Sequence, residues 1–243
     1  YLMDKENDEL DNWIRMVATN RLTGHSKGFF SVYTLPPNQA VMPERQVKIN
    51  KQRNQNPDYR NTKQIILKKT KDLLKDITSQ QVKTLKNIAD KSLFLNCDAR
   101  MTDEIEEESV QLTVTSPPFL DIVQYSADNW LRCWFNGINI EEIDKKITVA
   151  KKLEDWIAVM SCVFKQLYRI TKKSGYVAFE VGEVRNGKIR LDEYVVDIGI
   201  KQGFKCLGIM INEQVFTKTS NIWGISNNNA GTNSNRIAVF IKE

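Results

Sequence analysis

The stretch VQLTVTSPPF, residues Val110–Phe119, decides the fold predicted for this chain. Its first half, Val110–Val114, is an apolar run that predicts a buried β-strand. Its second half, Thr115–Phe119, sets a small polar residue, two prolines and an aromatic ring at the carboxyl end of that strand. Ser-Pro-Pro also occurs in ordinary turns, but ligands of open α/β sheets bind at the carboxyl ends of strands. We therefore interpret this stiff corner as a site of chemistry.

Predicted strands and helices alternate around this corner. The strands are expected at Ser92–Cys97, Val110–Val114, Gly175–Val181, Cys206–Val215 and Ile237–Ile241. The helices are expected at Met101–Glu108, Ser126–Asn136, Leu153–Thr171 and Asp192–Lys201. This alternation predicts an α/β fold with a mainly parallel sheet that is covered on both faces. No helix separates the last two strands, which predicts an antiparallel strand inserted near one edge.

Upstream of the alternating part, the chain is helical and basic by pattern. An amphipathic helix is expected over Asp4–Arg21, an exposed Asn- and Gln-rich loop over Asn50–Arg60, and two basic helices over Tyr59–Ile77 and Ser79–Asp90. Between Glu44 and Lys91, thirteen Lys and Arg stand against five Asp and Glu. Such an excess attracts a phosphate backbone, although a solvated basic helix face explains it equally well.

Composition excludes several other classes of protein. The 243 residues suit one domain, or one domain carrying an insertion. No apolar run approaches the ~20 residues that span a bilayer, and no signal-peptide pattern is present, so we expect an intracellular protein. Four scattered cysteines and a single histidine, His25, predict neither a metal site nor a disulfide framework, and they argue against a Ser-His or Cys-His nucleophile.

The Thr115–Phe119 segment resembles the catalytic motif of DNA amino-methyltransferases, in which Ser, Asp or Asn precedes Pro-Pro and an aromatic residue. The serine form is usual among enzymes that methylate the N4 of cytosine. The resemblance extends to site-specific DNA methylases over almost the whole chain. The segments that carry it are Gly24–Thr34, Thr115–Asp121, Asp128–Arg132, Phe179–Arg185, Phe216–Trp223 and Gly231–Arg236. It implies a Rossmann-like methyltransferase sheet, with residues 1–91 as a helical, basic region for target recognition and partner contact and residues 92–243 as the catalytic region.

The resemblance also implies an activity, the transfer of a methyl group from S-adenosyl-L-methionine to an exocyclic amine of a flipped base. The Ser116 hydroxyl and a backbone carbonyl held by Pro117 and Pro118 would accept hydrogen bonds from the amine, and Phe119 would stack on the base. No covalent nucleophile is needed.

Further site residues are implied in the same way. Phe216 and Lys218 would help to wall the base pocket, unless they are a core ring and a solvated lysine. Asp98, Thr115 and Glu180 are the candidates for cofactor binding, although Asp98 could instead cap a helix and Glu180 could belong to a structural ion pair. The candidate DNA contacts are His25, Lys27, Lys48, Lys51, Arg53 and Arg60.

The chain departs from the family in one respect. A glycine-rich turn after the first strand normally holds the cofactor, and the Gly-x-x-x-Gly at Gly24–Gly28 follows no predicted strand. The chain is thus expected to begin after the first two strands of the fold. It would be a subunit of a split enzyme whose companion polypeptide carries the glycine-rich loop, a fragment, or a degenerate relative. A split enzyme would leave an apolar sheet edge exposed.

The resulting expectation is a restriction-modification type of DNA methyltransferase that acts on double-stranded DNA and favours cytosine N4 over adenine N6. It would lie in a prokaryotic cytoplasm, associated with the nucleoid. The alternative is a noncatalytic DNA-binding or specificity subunit with a degenerate methyltransferase fold. An RNA or protein methyltransferase is a weaker third hypothesis, because the resembling segments are those of DNA methylases.

Overall fold

The computed structural model describes residues 8–31, 40–118, 120, 125–147, 150–184, 188–213 and 234–243. The chain forms two compact units. The first consists of Tyr1–Leu93 and Gln124–Ile147, and the second of Phe94–Val123 and Thr148–Glu243. The functions assigned above to residues 1–91 and 92–243 remain predictions.

Helices make up most of the described first unit. They are α1 (Glu9–Thr19), α2 (Pro43–Gln52), α3 (Thr62–Leu74), α4 (Ser79–Ala89), α5 (Tyr125–Phe135) and α6 (Ile140–Lys146). The helix starts follow from side-chain caps. Asn61 accepts a hydrogen bond from the backbone N–H of Gln64 at 3.0 Å, and Thr78 and Gln81 form a capping box. The two predicted basic helices are confirmed, whereas α2 was not predicted.

A four-stranded sheet forms the centre of the second unit. Its strands are β1 (Val110–Thr115), β2 (Thr171–Val181), β5 (Lys205–Glu213) and β6 (Ser234–Ile241), and a separate pair consists of β3 (Glu183–Val184) and β4 (Ile189–Arg190). The strand order is β1-β2-β6-β5. β1 runs parallel to β2, and β6 runs antiparallel to both β2 and β5. The predicted antiparallel strand near one edge of an α/β sheet is confirmed.

Two helices, α7 (Leu153–Ile170) and α8 (Leu191–Lys201), bury their apolar faces against this sheet. Phe164 of α7 is fully buried, and its ring centroid lies 4.8 Å from that of Phe179 and 5.4 Å from that of Phe240. Alternate residues of each strand point toward this core, because successive side chains of a strand face opposite ways. The core therefore lies on one face of the sheet.

The opposite face of the sheet is open. Val114 of β1 is 73% exposed, its register partner Ala178 is half-buried, and Met210 and Tyr176 on the same face are also exposed. The prediction of helices on both faces is therefore wrong for the described residues. β1 is also an edge strand of the sheet they form. Among the described residues, no strand pairs with the outer edge of β1. The open face exposes apolar side chains such as Val114 and Met210.

Two predicted elements are absent. Ser92–Cys97 is not a strand, and Phe94 within it is 94% exposed, because no neighbouring strand offers a ladder or a covered face. Met101–Glu108 is a set of turns rather than a helix. The guanidinium of Arg169 donates to the carbonyls of Ile105 at 3.0 Å and Thr102 at 2.6 Å, so a residue distant in sequence holds this segment in turns.

Candidate functional site

The Ser-Pro-Pro corner lies at the carboxyl end of β1, as the sequence predicts. Thr115 is the last residue of β1, half-buried and in register with Phe179 of β2. Ser116 follows and is exposed, while Pro117 and Pro118 are half-buried. The strand thus delivers the serine hydroxyl to solvent, and each proline ring fixes one backbone dihedral behind it.

An indole from α7 fixes the next backbone group. Trp156 is only 2% exposed, and its Nε1–H donates to the carbonyl oxygen of Pro118 at 3.0 Å. Leu120, two residues further on, is fully buried in the core. The corner is therefore fastened on both sides, to β2 before Ser116 and to α7 and the core after it. Phe119 lies outside the described residues.

Sequence reasoning missed Trp156. Its position in the apolar stripe of a helix with Met160, Phe164 and Leu167 indicates a core side chain, which it is. The sequence could have indicated that the Trp156 N–H bonds to some acceptor, since a buried Trp N–H needs one. It could not have identified the Pro118 carbonyl as that acceptor, because tertiary packing decides which carbonyl lies within reach.

Glu180 lies at the same edge of the sheet as Ser116. It is half-buried, the penultimate residue of β2, and directly follows the Phe179 that pairs with Thr115. Parallel register therefore brings Thr115, Ser116 and Glu180 together. Glu180 alternates with the buried Phe179 and Val181, so it faces the open side of the sheet.

Asp98 is committed to a local contact. Its carboxylate accepts a hydrogen bond from the backbone N–H of Arg100 at 2.8 Å and is bridged by the guanidinium of Arg100, with Nε 2.9 Å from Oδ1. This side-chain contact is the main reason that the pKa of Asp98 lies below its ordinary value. The helix that Asp98 was expected to cap and the strand that it was expected to end are both absent. Its carboxylate instead serves a turn.

A buried ion pair, also missed from the sequence, lies close to the carboxyl edge of the sheet. Arg236 of β6 is in register with Val181, the last residue of β2, and its Nε donates to Oδ2 of Asp192 at 2.7 Å. Asp192 lies in the first turn of α8 and is fully buried. Its Oδ1 has no hydrogen-bond partner among the described residues. The pair joins the start of α8 to the start of β6.

Two predicted residues of the base pocket, Phe216 and Lys218, lie outside the described residues.

In the described part of the chain, no group of three His, Cys, Asp or Glu side chains could hold a metal ion, and no helix has the length and hydropathy needed to cross a bilayer.

The predicted DNA contacts all belong to the first unit. Most of these side chains are exposed, but Arg60 is only 17% exposed and pairs with Asp58 at 3.7 Å. The exposed members are His25, Lys27, Lys48, Lys51 and Arg53. His25 and Lys27 lie in the turn that a bridge between Thr23 and Ser31 closes.

Comparisons with known proteins give structural neighbours only. No protein-family model and no curated protein matches the chain. A DNA modification methylase candidate of Thermus thermophilus, solved in complex with S-adenosyl-L-methionine, matches at 21% identity and a TM-score of 0.38, covering 60% of this chain and 53% of that one. The cytosine-N4-specific PvuII DNA methyltransferase matches at 16% identity and a TM-score of 0.37, with 63% of this chain and 49% of that one covered.

A third neighbour, a SAM-dependent methyltransferase of Methanosarcina mazei, is 11% identical with a TM-score of 0.34, and the match covers 69% of this chain and 79% of that one. The chain spans about half the length of the Thermus and PvuII proteins. With TM-scores below 0.5, these neighbours do not assign a function to this chain.

Proposed function

We propose that this chain is the catalytic portion of an S-adenosyl-L-methionine-dependent DNA methyltransferase that acts on an exocyclic amine of a flipped base, with cytosine N4 favoured over adenine N6. The observation that carries the proposal is the exposed Ser116 at the carboxyl end of a parallel strand, followed by two prolines that a buried indole fixes. A catalytic group is more effective when its surroundings hold it in place before the substrate arrives.

In this proposal the corner orients the amine. An exocyclic amine is a poor nucleophile because its lone pair is delocalised into the base ring. The Ser116 Oγ and the Pro117 carbonyl would each accept a hydrogen bond from the amine N–H groups and so hold the nitrogen in a geometry in which its lone pair is localised and points at the methyl group. The Pro118 carbonyl is already bonded to Trp156, which supports Pro117 as the acceptor. Ser116 in this position, rather than Asp or Asn, supports cytosine as the base.

S-adenosyl-L-methionine would supply an electrophilic methyl group when bound. Thr115 and Glu180 lie beside Ser116 and remain the candidates to contact it. Asp98, the third candidate, has its carboxylate bridged by Arg100, and no glycine-rich turn follows a strand in the sequence. The residues that the structure describes do not form a complete cofactor site.

We therefore propose that another polypeptide, carrying the glycine-rich loop, completes the site. The open edge of β1 supports this, because an unpaired strand edge accepts another strand through its free N–H and C=O groups. The apolar open face supports it as well, since Val114 and Met210 are exposed where an α/β sheet normally carries helices. A companion that adds strands beside β1 and helices over this face would bury both.

Duplex DNA is the proposed partner of the first unit, through the exposed basic side chains at and after α2. Phe216 and Lys218 are proposed to wall the base pocket. A role in restriction-modification, in a prokaryotic cytoplasm and near the nucleoid, is part of the same proposal.

The test is the substitution Ser116→Ala, assayed for methyl transfer in the active form of the protein, whether that is the chain alone or the chain with its companion. Transfer should be abolished and binding to duplex DNA should change less than about twofold, because the hydroxyl acts on the amine and not on the DNA backbone. Ser92→Ala, an exposed serine of the first unit, is the matched control and should leave both unchanged. Equal loss of binding and transfer in Ser116→Ala would remove Ser116 from the catalytic role.

The alternative, a noncatalytic DNA-binding subunit, is favoured by the incomplete cofactor site. Calorimetric titration of S-adenosyl-L-methionine separates the two functions when it is run with and without the polypeptide that covers β1. Binding that appears only with that polypeptide supports the enzyme. DNA binding that weakens steeply with salt, without cofactor binding in either sample, supports the alternative.

A further inference from the structure

The end of α2 builds a small polar concavity. Asn54 adopts the left-handed conformation, with φ of 46°, which Asn tolerates better than most residues. Its N–H donates to the carbonyl of Lys51 at 3.2 Å, and the N–H of Gln55 donates to the carbonyl of Asn50 at 3.0 Å. This pair of bonds is a Schellman motif, and it folds Gln55 back over the last turn of the helix.

The side chain of Asn50 then organises its neighbours. Its Oδ1 accepts one hydrogen bond from Nε2 of Gln46 at 2.8 Å and a second from Nε2 of Gln55 at 2.7 Å. An amide oxygen has two lone pairs, so both are used. What remains of this pair for a ligand is the Nδ2 donor of Asn50 and the Oε1 acceptor of Gln55, neither of which is bonded to another described residue. Both side chains are half-buried, so the network fixes their orientation.

The resulting cavity has a volume of about 320 Å³. It is lined by Val47, Asn50, Lys51, Asn54, Gln55 and Asn56. Four of these six side chains are neutral amides, and the amides of Asn54 and Asn56 make no hydrogen bond to described residues. The site therefore offers several donors and acceptors of fixed type around a small space.

The chemistry of the lining selects the ligand. Phosphate sites are built from cations and helix N-termini, whereas this cavity lies at the C-terminal end of α2, where the helix dipole disfavours an anion. A neutral group with a donor and an acceptor side by side fits better. A single Asn or Gln side chain can donate to adenine N7 and accept from its N6 amine. Here the donor, Asn50 Nδ2, and the acceptor, Gln55 Oε1, would come from two side chains that hydrogen-bond to each other. Lys51, which is part of the lining, is exposed and would contact a flanking phosphate.

We propose that the cavity at the end of α2 reads the major-groove edge of an adenine in duplex DNA, with Asn50 and Gln55 as the specificity-determining residues. The proposal rests on DNA being the partner of this chain, as proposed above, and it adds a base-reading site in the first unit. Methyl transfer takes no part in it.

The experiment is a selection from a randomised duplex library with the full chain, at constant salt, repeated with Asn50→Leu and with Gln55→Met. Wild type should enrich a motif with adenine at one fixed position. Each variant should lose discrimination at that position by about 10- to 100-fold, because a bidentate amide contact discriminates bases by that order. Asn87→Leu, which removes an exposed amide on α4, is the matched control and should select the wild-type motif.

A second comparison separates base reading from backbone binding. Lys51→Ala should weaken binding to all sequences alike and lower the slope of log affinity against log salt by about one, without changing the motif. Asn50→Asp keeps the Oδ1 that accepts from Gln46 and Gln55 and removes only the Nδ2 donor, so it should relax the adenine position while the network that shapes the loop is retained.

The outcomes distinguish this proposal from the enzymatic one. An adenine preference that persists unchanged in Asn50→Leu, Asn50→Asp and Gln55→Met overturns the base-reading site even if methyl transfer is found. Wild type that selects no sequence, or binds no duplex, overturns it as well. An adenine preference lost in the variants supports the site even if the chain never transfers a methyl group.

Discussion

Replacing Trp156 with phenylalanine tests whether the Ser-Pro-Pro corner depends on its fastening. The change keeps an aromatic ring in the core and removes the N–H that donates to the Pro118 carbonyl at 3.0 Å. The half-buried carbonyl is then left without its donor, which costs about 1–3 kcal/mol, and the smaller ring adds roughly 1 kcal/mol of lost packing. We expect the free energy of unfolding to fall by about 2–4 kcal/mol in urea titrations followed by fluorescence.

The effect on methyl transfer is the decisive part. A misplacement of about 1 Å at a reacting group can lower the rate roughly 100-fold, so Trp156→Phe should lower kcat by about 10- to 100-fold while KM for DNA stays within about twofold. Trp130→Phe is the matched control, because Trp130 of the first unit also donates its indole N–H to a carbonyl, that of Ala40. It should lose stability without this loss of kcat. Wild-type kcat in Trp156→Phe, or an equal loss in both variants, would refute the reasoning.

Three further predictions concern the second unit. Asp192→Ala should lower the free energy of unfolding by about 3–5 kcal/mol in urea titration, because it removes the buried carboxylate that pairs with the guanidinium of Arg236; a loss below about 1 kcal/mol would contradict this. Gly199→Ala should lower the melting temperature despite the better helix propensity of alanine, since the new methyl group would overlap a buried aromatic ring of β6; an unchanged or higher melting temperature would contradict it. Arg100→Ala should raise the pKa of Asp98 toward its ordinary value of 3.8 in an NMR titration, and an unshifted carboxyl resonance would show that Arg100 does not set it.

The direction of the pKa shift of Asp98 also determines how the stability contributed by the Asp98–Arg100 contact depends on pH. The pKa of Asp98 is lower in the folded protein than in the unfolded chain, so the contact contributes stability above the unfolded value of about 3.8. That contribution disappears as the pH falls through the lower folded value. Because both side chains are partly exposed, it should amount to less than about 1 kcal/mol.

The elements that were predictable carry their signal locally. The corner from Thr115 to Pro118 follows a short apolar run and contains two prolines, so its strand and its turn could be predicted without knowing their distant partners. The helix at Leu153–Ile170 shows an apolar stripe along its whole length. The antiparallel end of the sheet followed from the missing helix between the last two apolar runs.

The elements that failed depend on distant partners. The acidic segment Met101–Glu108 looks helical by composition. However, Arg169, at the end of α7, donates hydrogen bonds to two of its backbone carbonyls and holds it in turns. Ser92–Cys97 has the apolar pattern of a strand and lacks a neighbour to pair with among the described residues. Likewise, the bond from Trp156 to Pro118 joins residues 38 positions apart, which no local pattern contains.

The cavity at the end of α2 could not be predicted for a different reason. The predicted exposed loop over Asn50–Arg60 is wrong for its first three residues, which end α2, and for the half-buried Asn50 and Gln55. One left-handed residue, Asn54, gives the segment a defined shape. The same composition without the bonds from Gln46 and Gln55 to Asn50 would be a plain loop. Function in such a segment is set by hydrogen bonds between side chains rather than by periodicity.

The one-sided sheet makes the stability of the second unit a property of its surroundings. A polypeptide that binds only the folded unit adds RT ln(1 + [L]/Kd) to its free energy of unfolding, about 2.7 kcal/mol when present at roughly 100 times its Kd. The melting temperature should then rise with the concentration of whatever covers Val114 and the edge of β1. If the companion polypeptide proposed above is made separately, its synthesis in too small an amount would leave surplus sheet exposed to aggregation and to proteases.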